Sequence, residues 1–222
     1  MQEFQTFWRS RPLRALCVGW IAVATLAGCE RSPHSTVAID RDTTAPAAVS
    51  GASVVVPFTL LQPSGEPFES SSLRGKVWLA SVFFANCPGT CFRENQAVAD
   101  MLRAIPDPDF VAVSLTCDPE NDTPEVLRRY AERFDAQPDR WKFLTGDMAI
   151  IKEVANKTFL LPAEVGVHSE RGVVFDRQGH LRGSYHLLQS DRVKLLEKLI
   201  REVLAETDST APHQRDSQEP SP

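Results

Sequence analysis

Two cysteines with three residues between them stand where an apolar run of the chain stops. The run over 77–84 is rich in β-branched and aromatic residues, and the segment that holds Cys87 and Cys91 follows it directly. Such a run is typical of a strand that is buried on both faces. Because a helical pattern comes next, both cysteines are predicted to lie at a strand-to-helix junction, where open α/β sheets place their sites.

A helix that begins near Cys91 would give the two thiols their chemistry. Its apolar stripe has the spacing i, i+3, i+4 and i+7 and consists of Val98, Met101, Leu102 and Ile105. Cysteines four residues apart share a helix face, and the positive end of the helix dipole is expected to lower a thiol pKa. The pair is therefore predicted to be a bidentate soft metal ligand, a redox dithiol, or both.

A structural disulfide of an exported domain is the alternative for this pair. A bridge between near neighbours closes a very small loop, so it would add little stability by the chain-entropy argument. The position at the carboxyl end of a central strand also favours a site. We therefore interpret Cys87 and Cys91 as functional residues.

The composition fits one globular domain with tails and argues against a nucleic acid as partner. The chain has 222 residues, of which 42% are hydrophobic and 24% charged, and its formal net charge is −5. Phosphate binding needs a concentrated basic patch, which this sequence lacks.

The N-terminal segment 1–29 has the layout of a secretory signal, with three arginines ahead of an apolar stretch. Its end, Leu-Ala-Gly-Cys over 26–29, resembles a bacterial lipobox, which implies that Cys29 is lipidated and becomes the mature N-terminus. An uncleaved anchor helix is the alternative. Either interpretation places the domain outside the cytoplasm, at the periplasmic face of a bacterial membrane.

Two further segments are too polar to bury a core. Residues 30–53 are interrupted by Pro33 and Pro46 and are predicted to be a flexible tether, and residues 206–222 a disordered tail. The folded domain is therefore predicted to cover 54–205.

Strands alternate with helices in this domain and finish in a hairpin and a helix. Strands are predicted over 54–61, 77–84, 110–116, 141–144, 172–175 and 181–185, and helices over 92–105, 124–134, 147–156 and 191–204. This order predicts an α/β sandwich of thioredoxin type, with a mixed sheet and helices on both faces.

A histidine far along the chain is the third candidate. His168 lies in the loop before the hairpin. A lone histidine is more often an ordinary surface residue, but in a thioredoxin-type sandwich this loop returns beside the junction that holds the cysteines. Two thiolates and an imidazole form a soft set of three ligands that suits copper as Cu(I) or Cu(II), whereas zinc usually requires a fourth.

Three motifs, in this order, resemble the SCO/SenC family of copper-binding thioredoxin-fold proteins. They are Phe-Phe-x-x-Cys-Pro-x-x-Cys over 83–91, Val-Ser-Leu-Thr-Cys-Asp-Pro-Glu-Asn-Asp-Thr-Pro-Glu over 113–125, and Val-His-Ser over 167–169 followed by Val-Val-Phe-Asp-Arg-Gln-Gly-His-Leu-Arg-Gly over 173–183. The resemblance covers nearly all of 54–205.

The resemblance implies a membrane-attached copper chaperone that assists assembly of the copper centre of cytochrome c oxidase. Cys87, Cys91 and His168 stand at the family's ligand positions, and the implied partner is a copper-receiving oxidase subunit or another copper protein. Such a protein carries a metal and is not strictly an enzyme. The family usually has proline directly after the second cysteine, where this chain has Phe92, and a membrane helix where this chain has the lipobox.

Two other functions use the same thiols. An extracytoplasmic thiol–disulfide oxidoreductase would act through Cys87 and Cys91. A thiol peroxidase is a weaker hypothesis, because peroxiredoxins place a threonine three residues before the reactive cysteine, and Phe84 stands there.

Other polar residues near these motifs receive structural interpretations. Cys117 ends a strand where the family commonly has an apolar residue, and we expect it to pack in the core. Asp122 is predicted to cap the next helix, while Asp118 could form a turn, lie near the metal or dock a partner. No role is predicted for the remaining histidines, His34, His180, His186 and His213.

Overall fold

The computed structural model describes residues 55–206, where strands alternate with helices in the predicted order. The strands are β1 (Thr59–Leu61), β2 (Pro67–Glu69), β3 (Val77–Phe83), β4 (Phe110–Thr116), β5 (Trp141–Leu144), β6 (Ala163–Glu164), β7 (Val167–His168), β8 (Arg171–Phe175) and β9 (Leu181–His186). The α-helices are α1 (Thr90–Ala104), α2 (Pro124–Glu132), α3 (Met148–Glu153) and α4 (Ser190–Ala205). A π-helix over Val154–Phe159 continues α3.

Five of the strands form one mixed sheet, in the order β5-β4-β3-β8-β9. The first three strands are parallel, and β8 runs antiparallel to both β3 and β9. Every residue of β3 and β4 is buried, as the apolar runs predict for strands covered on both faces. The carboxyl ends of β3 and β4 therefore lie side by side.

Alternate side chains of β3 contribute to two separate cores. Val77, Leu79 and Phe83 pack in the core formed with α1, α2 and α4, whereas the intervening residues pack in the core formed with α3 and the β1–β2 hairpin. Trp78 in the second core stacks on Phe175 of β8, with ring centroids 4.1 Å apart. The predicted mixed sheet with helices on both faces is confirmed.

Side chains cap the starts of α2 and α3, and one of the two predicted caps is corrected. Asp147 caps α3 as predicted, since its Oδ1 accepts from the amide of Ala149 at 2.8 Å. The prediction that Asp122 caps α2 is wrong, because the neighbouring Thr123 has that role and its hydroxyl accepts from the amide of Val126 at 3.4 Å. The carboxylate of Asp122 is instead buried and bonded elsewhere.

Two other predicted elements differ or lie outside the described residues. The strand predicted over 54–61 is shortened to Thr59–Leu61, and Pro57 has no amide hydrogen to donate to a ladder. Within residues 55–206 no helix is long and apolar enough to cross a membrane. The predicted signal, Cys29, the tether and residues 207–222 of the tail all lie outside the described part of the chain.

Candidate metal centre

The three side chains singled out in the sequence come together at the carboxyl edge of the sheet. Cys87 lies in the loop after β3, Cys91 in the first turn of α1, and His168 at the end of β7. Their two sulfurs and one imidazole nitrogen all lie within 4.8 Å of one another. Among the described residues, this is the one group of three or more Cys, His, Asp or Glu side chains close enough to hold a metal ion.

Cys91 is fully buried and contacts the imidazole directly. Its Sγ lies 2.9 Å from Nε2 of His168. Burial raises the pKa of the Cys91 thiol, and a hydrogen bond with Cys87 raises it further. The expectation that the helix terminus lowers a thiol pKa is therefore wrong for Cys91, because desolvation in the buried first turn outweighs the helix dipole.

Cys87 is the more accessible sulfur of the pair. It is half-buried, and its Sγ accepts the backbone N–H of Cys91 at 3.3 Å. This amide is one of the donors that the first turn of a helix leaves without an intrahelical partner. The first turn of α1 therefore donates a hydrogen bond to the sulfur of Cys87, and both thiols are unbridged.

His168 is delivered by a very small hairpin. Its strand, β7, pairs with β6 over two residues on each side, around a turn in which Gly166 has a φ of +73°. The ring meets Phe84 edge to face, with centroids 5.7 Å apart, and Nδ1 lies 3.3 Å from the carbonyl oxygen of Ser169. These contacts turn Nε2 toward the sulfurs.

A buried carboxyl group behind the imidazole was missed in the sequence. Oε2 of Glu94 lies 3.6 Å from Nδ1 of His168. Burial raises the pKa of Glu94 to about 8, and the charge of Glu170 adds to this effect. The sequence did contain a signal, since Glu94 occupies the apolar stripe of α1 one turn before Val98.

Asp122 fastens the loop that carries Cys87. Its Oδ2 accepts from the backbone N–H of Ala85 at 2.9 Å and from the hydroxyl of Thr116 at 2.5 Å, so one carboxylate oxygen joins the ends of β3 and β4. Burial raises the pKa of this carboxyl group. Asp118, whose role the sequence left open, forms a turn: its carbonyl oxygen accepts the backbone N–H of Asp122 at 2.8 Å.

The third cysteine packs in the core, as predicted. Cys117 is fully buried among the apolar residues on the α3 face of the sheet. Burial raises the pKa of its thiol to about 11. Cys117 is absent from the group of side chains that could share a metal.

Phe92 replaces the expected proline and links two helices. Its ring lies 5.1 Å from that of Phe134, and the guanidinium of Arg133 lies 4.8 Å above its centroid. Aromatic and cation–π contacts therefore hold the first turn of α1 against the end of α2.

The donor set is suited to a soft metal. Two sulfurs and an imidazole nitrogen fit copper in either oxidation state, and the same sulfurs are close enough for dithiol chemistry. Metal binding would require both thiols to lose their protons.

Comparison with known proteins points to one family. The family model described as SCO1/SenC matches residues 46–203. The SCO1 protein homolog of Bacillus subtilis is 35% identical over 108 residues, which are 47% of this chain and 56% of that protein. The chain thus spans little more than half of that relative.

Solved structures share the fold. BsSco, described as a member of the Sco family of cytochrome c oxidase assembly proteins with a disulfide switch, has a TM-score of 0.63 and 25% identity over 72% of this chain and 96% of its own. ScoI of Bradyrhizobium japonicum with copper bound has a TM-score of 0.57 and 23% identity over 69% of this chain and 99% of its own. A SCO1/SenC family lipoprotein from Bacillus anthracis has a TM-score of 0.62 and 23% identity over 68% and 94% of the two chains.

Removal of the Asp122 carboxylate is expected to loosen the Cys87 loop. Asp122→Ala leaves the Ala85 amide without its acceptor, so the free energy of unfolding, measured by urea denaturation, should fall by about 1–3 kcal/mol. Cys87 should also react faster with a thiol reagent. Asp118→Ala is the control, because that carboxylate contacts the exposed side chain of Asn121, and its loss should change stability by less than about 0.5 kcal/mol. Equal effects of the two substitutions would contradict this assignment.

Substitution of Cys117 is expected to affect stability and not metal content. Cys117→Ser places a hydroxyl in an apolar core and should lower the free energy of unfolding by about 1–3 kcal/mol. The number of copper ions bound per folded chain, measured by metal analysis, should stay the same. A folded variant that loses its copper would show that Cys117 belongs to the site.

Proposed function

The chain belongs to the SCO1/SenC family, and from that membership we propose that it carries copper for the assembly of a cytochrome c oxidase. Cys87, Cys91 and His168 are the proposed copper ligands. The observation that carries the proposal is the convergence of two sulfurs and an imidazole nitrogen within 4.8 Å from three separate elements. The description of BsSco as a cytochrome c oxidase assembly protein supports the biological role.

The ligand set favours copper over zinc. Structural zinc sites are almost always four-coordinate, and within residues 55–206 no fourth Cys, His, Asp or Glu belongs to the group. Thiolates select Cu(I), and the added imidazole makes the set suitable for Cu(II) as well. The receiving partner is proposed to be an oxidase subunit or another copper protein.

Unequal exposure gives the two thiols different parts in loading. The half-buried Cys87 meets an incoming ion first, and the buried Cys91 completes the pair after losing its proton. His168 then closes the set from the β6–β7 hairpin. Release would follow the reverse order, with Cys87 as the sulfur that a partner's ligand can reach.

Thiol–disulfide exchange is the second candidate function. It is supported by two unbridged thiols whose sulfurs lie within 4.8 Å of each other and by the disulfide switch that the description of BsSco records. In this function Cys87 would attack and Cys91 would resolve the mixed disulfide. The exchange does not require an imidazole ligand, so His168 separates the two functions.

We further propose that the domain over 54–205 is attached to the periplasmic face of a bacterial membrane. The lipobox-like sequence ending at Cys29 motivates this proposal, and residues 30–53 would form the tether. A structure of the same fold is described as a lipoprotein, which supports it.

The variant His168→Ala distinguishes a copper carrier from a thiol–disulfide reductase. Loss of the nitrogen ligand should lower Cu(II) affinity by roughly 100-fold or more, since even the partners of metal ligands contribute 10–100-fold. Cu(I) binding should weaken less, and the Cys87–Cys91 disulfide should still form and be reduced. Both oxidation states of copper would be titrated, and oxidase maturation assayed in cells.

His180→Ala is the matched control for this experiment. His180 lies at the β8–β9 turn, which the pairing of Trp78 with Phe175 places at the opposite edge of the sheet. Unchanged copper affinity in His168→Ala would remove this residue from the site. Lost copper affinity with normal oxidase maturation would favour thiol–disulfide exchange.

Cys29→Ser tests the anchor. The variant should lose incorporation of labelled fatty acid and appear in the soluble fraction, because the acceptor thiol is gone. Cys17→Ser keeps a cysteine change within the same segment and should remain lipidated and membrane-bound. A Cys29→Ser protein that is still processed and labelled would reject the lipoprotein assignment.

A further inference from the structure

The imidazole of His168 lies between a thiol and a carboxyl group. On one side, Nε2 is 2.9 Å from Sγ of Cys91. On the other, Nδ1 is 3.6 Å from Oε2 of Glu94. The side chains of His168 and Glu94 are only 7% and 3% exposed, so these contacts lie largely out of reach of water.

The burial of Glu94 has no explanation in the packing of the core. Its Oε1 is buried without a hydrogen-bond partner in the described part of the chain. A buried polar atom without a partner is destabilising, and an apolar side chain of similar size would fill the same space at a lower cost. Glu94 is also outside the group of three side chains that could share a metal. Within that group, its carboxyl oxygen lies against the histidine ring.

The ring needs such a contact because its own strand holds it weakly. Only two residues of β7 pair with β6, and both Val165 in the turn and Val167 in β7 are exposed, at 63% and 60%. The backbone therefore fixes the position of the hairpin more loosely than that of a strand inside the five-stranded sheet. Side-chain contacts must set the angle of the imidazole.

The surroundings of Nδ1 determine where the ring carries its hydrogen. Two oxygens face this nitrogen, the carbonyl of Ser169 at 3.3 Å and Oε2 of Glu94 at 3.6 Å. A carbonyl only accepts, and a carboxyl group offers Oε2 as an acceptor in either protonation state, since the proton of the neutral form can reside on Oε1. This arrangement favours the tautomer with its hydrogen on Nδ1, in which the lone pair of Nε2 is directed at the sulfur of Cys91.

One rigid element holds both neighbours of the ring. Cys91 and Glu94 are three residues apart on α1, so their side chains project from the same face. The helix thus presents a thiol and a carboxyl group at a fixed separation, and the imidazole is seated between them.

We propose that Glu94 is a positioning residue of the metal centre, which keeps the hydrogen of His168 on Nδ1 and turns Nε2 toward the two sulfurs. The role of Glu94 in metal binding rests on the proposed function. The position of the hydrogen on His168 is a property of the protein without metal as well. Partners that orient ligating histidines in this way typically contribute 10–100-fold to metal affinity.

The test uses the folded protein with Glu94→Met, Glu94→Gln and the control Asp100→Asn. Methionine fills the space without an acceptor oxygen, and glutamine keeps one. Asp100 is an exposed carboxylate on the same helix, where it accepts from Nε2 of Gln96 at 3.1 Å. The first measurement is the tautomer of His168 in metal-free protein, from the ¹⁵N shifts of the ring. The second is the affinity for Cu(II) and Cu(I) alone, with the nitrogen hyperfine splitting in the Cu(II) spectrum.

Wild type should have its hydrogen on Nδ1. Glu94→Met should populate both tautomers, lose about 10–100-fold in Cu(II) affinity and show a weakened nitrogen splitting. Its Cu(I) affinity, which the sulfurs dominate, should stay within about threefold. Glu94→Gln should restore Cu(II) affinity to within about threefold of wild type, and Asp100→Asn should match wild type.

The outcomes separate this inference from the proposed function. A wild-type ring with its hydrogen on Nε2 overturns the inference even if Glu94→Met fails to fold. A folded Glu94→Met protein with wild-type tautomer and Cu(II) affinity also overturns it, while His168→Ala still reports on the copper site. Equal copper binding by wild type and His168→Ala would instead reject the proposed copper ligand set. The tautomer of His168, which is measured without metal, would still decide whether Glu94 positions the ring.

Discussion

The parallel pairing of β3 with β4 is the constraint on which the site depends. The register runs from Val77 opposite Phe110 to Phe83 opposite Thr116, so both strands end at the same level. Each strand is buried on both faces, and a slip of one residue would turn every side chain toward the other core. Apolar packing therefore fixes the place where the two loops begin, and the chemistry of the edge depends on that register.

The polar groups buried at this edge differ in how many of their oxygen atoms have a hydrogen-bond partner. Asp122 accepts from a backbone amide and from a hydroxyl, so its burial is compensated and it joins two strand ends. Within residues 55–206, Glu94 has one oxygen without a partner, and it contacts a histidine on a hairpin of only two paired residues on each side. Cys91 is buried as a thiol whose pKa burial raises. The strand ends that Asp122 joins thus form a stable frame around two buried groups, Glu94 and Cys91, that water solvates poorly.

Much of the fold could be predicted because its signals are local. The apolar runs from Val77 onward and the hairpin around Gly179 predicted their strands correctly, and the stripe from Val98 onward predicted α1. The failures arise where a distant contact overrides a local rule: Asp122 has a capping residue type but bonds to Ala85, and burial of Cys91 outweighs the helix dipole. The carboxyl group of Glu94 required the packed structure, since only there does it meet a ring 74 positions along the chain.

The proposed carrier function depends on unequal anchoring of the three ligands. Cys87 lies in the loop directly after the central strand, and Cys91 lies in the first turn of α1. The imidazole of His168 comes from a hairpin with only two paired residues on each side. Two thiolates alone suffice for Cu(I), while Cu(II) needs the nitrogen as well. Movement of the β6–β7 hairpin would therefore change which oxidation state the site prefers without disturbing the sheet. Glu94 opposes that movement from α1, so the same helix that holds Cys91 also governs how readily the third ligand leaves.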